Sequence, residues 1–246
     1  MFDAKKLLDQ FLGSQVPGVG GSVRGRAADA VRMAKDNPMA TSAIAAVLLG
    51  TKTGRGLAGS ALKLGGLAAI AGLGYQAYRN YQAGQAPATA NSDPADPASA
   101  AQPAEPLLLP APADSAFGPA SAAASNEFAL VLIRAMIAAA KADGHIDAAE
   151  RALIMDKVEA ADIAGEAASF IHAELSSPTD LDALIAAAAT AEQKVELYTA
   201  SRLTIEPNSR AERGYLDLLA GRLGLDEALI AHIEAAVVNA KTQASA

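Results

Sequence analysis

Apolar residues recur at helical spacing in two separate parts of this chain, and the stretch between them follows no steady period. Near the start, Phe2, Leu7, Leu8, Phe11 and Leu12 cluster while Asp3, Lys5, Lys6 and Asp9 fall elsewhere; this predicts a short amphipathic helix over residues 1–12, stopped at Gly13. From Asn126 onward the pattern predicts seven helices, roughly 127–142, 148–160, 164–175, 180–189, 191–205, 210–223 and 226–241. Leu130, Ile133 and Ile137 form one apolar stripe, and Val195, Tyr198 and Leu203 form another. Helix starts are marked by Asp147 with Glu150 and by Ser209 with Glu212, both at capping-box spacing, and by Asp180 and Thr190. No run alternates like a strand. The expected fold class is all-α, with a C-terminal helical bundle over residues 126–246.

The remainder divides by composition. Residues 1–55 are basic and Gly-rich after the first helix, with an apolar run at 43–50 followed by Lys52 and Arg55. Residues 56–82 are nearly uncharged. A spanning helix needs roughly 20 apolar residues, and the uncharged run Leu64 to Tyr78 is shorter, although Lys63 could snorkel to a headgroup. Tyr75, Tyr78 and Tyr81 would form an interfacial belt, and Ala61, Gly65, Ala68 and Gly72 suit close helix packing. This segment is therefore read as membrane-associated, with a soluble Gly/Ala-rich helix or a disordered stretch as the alternative. Residues 83–125, with eight prolines between Pro87 and Pro119, read as a disordered tether. Gly72-Leu-Gly-Tyr-Gln-Ala77 matches a dinucleotide fingerprint in form only, because the nearest acid, Asp93, lies between prolines in the tether.

Charge sharpens this division. The net charge is −7, yet residues 1–82 carry ten Lys/Arg against four Asp, and residues 83–246 carry ten Lys/Arg against 23 Asp/Glu. A basic N-terminal part suits a negatively charged membrane surface. Cysteine is absent, which excludes disulfides, thiolate catalysis and zinc–thiolate sites. With no Trp and few aromatics, a base-stacking nucleic-acid interface is not expected.

One acidic turn is repeated. Lys141-Ala-Asp-Gly-His-Ile-Asp-Ala-Ala-Glu150 returns in degraded form as Leu203-Thr-Ile-Glu-Pro-Asn-Ser-Arg-Ala-Glu212, which suggests a bundle of two related halves. Asp143, Asp147 and Glu150 stand at i, i+4 and i+7 around a Gly turn, and such oxygen ligands suit Ca²⁺ or Mg²⁺. The EF-hand spacing is missing, and helix capping explains Asp147 and Glu150 without any ligand. His145, His172 and His232 do not form a metalloprotease pair, and neither a nucleophile elbow nor a P-loop occurs.

The motifs Ala142 to Glu150, Ala211-Glu-Arg-Gly-Tyr-Leu-Asp-Leu-Leu-Ala220 and Leu223-Gly-Leu225 resemble the TerB-like fold, the helical domain named after tellurite-resistance proteins. Met1 to Gln10, Ala61 to Ala69 and Tyr75 to Tyr78 are similar to its YebE-like branch of bacterial inner-membrane proteins. The resemblance implies a seven-helix bundle whose Asp143, Asp147, Glu150 and Glu212 hold a divalent cation, and a scaffolding or signalling role in stress responses at the inner membrane. Glu206 and Asn208 depart from the family's aspartates and put the second metal site in doubt. The expected function is non-enzymatic: a membrane-associated protein presenting an acidic helical domain to protein partners. The alternative is a cation sensor. Oligomeric state stays open.

Overall fold

The computed structural model describes residues 2–13, 66–87, 110–142 and 165–244, with Ile146, Arg151, residues 154–156 and Val158 between the last two stretches. All regular structure among the described residues is helical. Among these residues eight α-helices have described bounds: α1 (Ala4–Gly13), α2 (Gly66–Gln82), α3 (Asn126–Ala140), α4 (Glu166–Ser176), α5 (Leu181–Ala187), α6 (Ala191–Thr204), α7 (Arg210–Leu223) and α8 (Glu227–Ala244). Local chemistry sets most starts. The Ser125 hydroxyl accepts from Phe128 N–H, and Asp180 accepts from Ala183 N–H. Thr190 with Gln193 and Ser209 with Glu212 close reciprocal capping boxes. At the end of α7, Gly224 adopts φ 66°, a left-handed cap that glycine takes without strain.

The helices share one hydrophobic core, with α6 at its centre against α2, α3, α7 and α8. Val195, Tyr198 and Leu203 are buried in it, as are Ile133 and Ile137 of α3.

Two further stretches pack on the bundle. The first is Gly66–Gln82, read as part of a membrane-associated segment over 56–82. This 17-residue helix lies inside the bundle between α6 and α8, with Ile70, Leu73 and Ala77 buried. Its small residues serve protein packing: a Cβ built on Gly74 would stand 3.2 Å from Val195 Cγ1 and 3.3 Å from Phe117 Cε1. The tyrosines cover protein as well. Tyr75 and Tyr78 lie 6.1 and 5.8 Å from the Phe117 ring, and Tyr81 lies 6.3 Å from His232. No helix among the described residues is long and apolar enough to cross a membrane. Residues 56–65 lie outside the described residues.

The second is the latter part of the 83–125 tether. From Pro110 the chain turns against the bundle, buries Phe117 and Ala123, and forms a 3-10 turn at Ala122–Ala124. Residues 88–109 lie outside the described residues.

Candidate functional site

Asp143, Asp147 and Glu150, the first acidic turn, lie outside the described residues. Their flanks are described. Ile146, in the middle of the turn, is buried, and Ile154 and Val158 beyond it enter the core. Ahead of the turn, the Lys141 ammonium donates to Glu174 O at 3.2 Å and to Ser177 O, so it closes the carbonyl end of α4. Burial holds the Lys141 pKa below the usual amine value; Glu174 opposes the shift and Arg151 adds to it. Arg134 pairs with Glu174 at 2.7 Å and lies 5.1 Å from the Phe170 ring centre. These groups edge a cleft of about 290 Å³ whose apolar floor includes Ile137, Ala138 and Leu184. The charged groups along its edge are paired: Arg134 with Glu174, Lys141 with the carbonyls of Glu174 and Ser177, and Asp180 with the Ala183 N–H.

Glu212, assigned to the second turn, is bound to its own helix start: Oε2 accepts from Ser209 N–H at 2.8 Å. The carbonyls of that turn are held by the protein's own cations. Arg213 Nη1 donates to Pro207 O and Asn208 O at 3.0 and 2.9 Å, while Arg202 Nη1 and Lys241 Nζ both reach Ile205 O at 2.9 and 3.2 Å. Among the described residues no group of three or more His, Asp or Glu could hold a metal ion. The second turn is thus an electrostatic knot between α6, α7 and α8.

That knot continues inward. Arg202 Nε donates to Glu234 Oε2 at 2.5 Å, and the Tyr198 hydroxyl donates to Glu234 Oε1 at 3.1 Å. Burial, reinforced by Glu234, pushes the Tyr198 hydroxyl up, and burial beside Arg202 lowers Lys241 to about 8. Sequence reasoning missed this network. No local signal marked it, because the burial of α6 along most of its length is set by the helices packed around it. Glu196 is the extreme case: it is fully buried, neither carboxylate oxygen has a hydrogen-bond partner, and burial with repulsion from Glu192 raises its pKa to about 9.

A further polar feature joins distant parts of the chain. Asp9 Oδ1 accepts from Gly66 N–H at 2.6 Å and from Leu67 N–H at 3.4 Å, which caps α2 with a residue of α1. At the other end of α1, Ala4 N–H donates to Asn126 Oδ1 at 2.6 Å and Asn126 Nδ2 donates to Phe2 O at 3.3 Å.

No curated protein and no solved structure matches the chain. A family model described as "Protein of unknown function (DUF533)" matches residues 34–237, a range that takes in α2 and reaches into α8. The chain therefore belongs to the DUF533 family.

Proposed function

We propose that this protein is a non-enzymatic module of the membrane surface, in which the basic stretch 14–65 meets an anionic bilayer and the helical bundle is held there for protein partners. The observation that carries the reading is the Asp9–Gly66 contact, which fixes both ends of that stretch at one place on the bundle. Between those ends stand seven Lys/Arg against two Asp, together with the apolar run 43–50. Each Lys or Arg near an anionic surface contributes about 1 kcal/mol, and the apolar residues add burial. Anchoring would raise the bundle's local concentration near membrane partners. The order of α3 to α8, and the packing of α3 on α6 ahead of the two turns, support reading the bundle as TerB-like with two related halves. With the YebE-like N-terminal motifs, this favours a bacterial inner-membrane location and a role in tellurite-type stress.

Flotation with vesicles tests the reading. Full-length protein should rise with phosphatidylglycerol-containing vesicles and remain below with phosphatidylcholine alone. A variant with Arg24, Arg26, Arg32, Lys35, Lys52 and Arg55 each changed to Gln should stay below with both while melting at an unchanged temperature. If the unaltered protein never floats, the membrane reading fails.

A second reading is favoured by the burial of Ile146: a cation on Asp143, Asp147 and Glu150 would act on a turn seated in the core. Calcium or magnesium at millimolar concentration should then raise the melting temperature, and the rise should vanish in Asp143→Asn with Asp147→Asn. No shift with either ion counts against the sensor.

A further inference from the structure

We infer that on a bilayer α1 and the whole of α2–α8 stand on one and the same side, with the end of the bundle where Asp9 meets Gly66 turned toward the lipid. This inference rests on the membrane reading above and concerns its topology. A single span ahead of the bundle, the arrangement that a basic N-terminus and a later apolar run suggest, would place α1 on one side and the acidic domain on the other. The packing of α1 opposes that arrangement.

The helix is attached at both ends. Its first residues are held by the two Asn126 hydrogen bonds, and the Phe2 ring stands 5.6 Å from that of Phe170. Its apolar side, with Ala4, Leu7 and Leu8 buried, belongs to the same core as Ile70 and Leu73 of α2. Near its far end, Asp9 takes the first two N–H groups of α2, which have no partner within their own helix. The remaining turn from Asp9 to Gly13 rises only about 6 Å. The end of α1 and the start of α2 therefore lie beside each other at one end of the bundle. Placing α1 across a bilayer from α2 would expose Ala4, Leu7 and Leu8, strip Asn126 of its partners and uncap α2. Whatever path residues 14–65 follow, the helices on either side of them remain together.

The absence of cysteine makes the test direct, since single cysteines can be introduced without background. Lys6→Cys reports on α1, where the side chain is 82% exposed, and Leu218→Cys reports on α7, where the residue is 52% exposed. Each full-length variant is produced in a bacterial host, and intact spheroplasts are treated with a membrane-impermeant maleimide before and after permeabilisation. The two variants should show the same pattern, both protected and then both labelled, or both labelled at once. Membrane-bound protein whose two variants react from opposite sides overturns the inference and leaves the membrane reading standing. Fractionation of the same cells tests the other point: protein recovered only in the soluble fraction overturns the membrane reading and this inference with it.

Discussion

Glu196→Gln should remove most of the fall in folding stability between about pH 5 and pH 9. The carboxyl sits in the middle of α6, fully buried and without a hydrogen-bond partner, and its pKa rises from 4.5 to about 9, first through burial and then through Glu192. Across this window the native state keeps a proton that the unfolded chain has released. Unfolding then loses a proton, so stability is greatest below the unfolded pKa, declines as pH rises, and levels off above the folded pKa. The slope from this one group reaches up to about 1.4 kcal/mol per pH unit. Glutamine keeps the shape and carries no titratable proton, so the variant should have a flatter profile and be the more stable protein at pH 8. Urea midpoints measured from pH 5 to pH 9 decide the matter. Parallel profiles for the two proteins would mean that Glu196 meets water in the folded state. A buried orphan carboxyl is costly, and Glu196→Met should raise stability further by giving the core an apolar side chain.

Ile70→Ala and Leu73→Ala should each destabilise the bundle by about 2–5 kcal/mol, the usual cost of truncating a large aliphatic side chain in a closed core. Both residues are at most 1% exposed and belong to the core shared with α6 and α8. The substitutions separate two roles of an apolar Gly/Ala-rich helix. If α2 served a bilayer, small changes of apolar bulk would leave bundle stability nearly unchanged. With α2 as a core helix, the urea midpoint drops and far-UV helicity melts earlier. An unchanged midpoint for both variants would remove α2 from the core.

The two predictions concern features of unequal visibility in the sequence. The starts of α5, α6 and α7 were legible because their signals are local. Asp180, Thr190 and Ser209 each bond an N–H three residues on, and no distant residue is needed to recognise them. The role of Glu212 as partner of Ser209 was visible for the same reason, although the ligand role assigned to it by resemblance came from outside that local geometry. The Arg202–Glu234 pair was hidden because its members stand 32 positions apart and nothing local marks them as partners. Phe117 was hidden by the prolines around it, which report chain stiffness and say nothing of where a ring finds its neighbours.

By itself, then, the sequence determined the helical class, most helix boundaries and the charge division between the two ends of the chain. These follow from periodicity, capping and composition, all of which act within a few residues. Only the tertiary structure decided where the Gly/Ala-rich helix lies and which polar groups are buried. Small apolar residues pack against a neighbouring helix or among lipid chains by the same dispersion forces, so composition cannot choose between them. The choice was made by Val195 and Phe117, far along the chain, which close on Gly74 so that even a Cβ there would make tight contacts of 3.2 and 3.3 Å. Burial of Glu196 has the same origin, for it depends on how many helices surround α6.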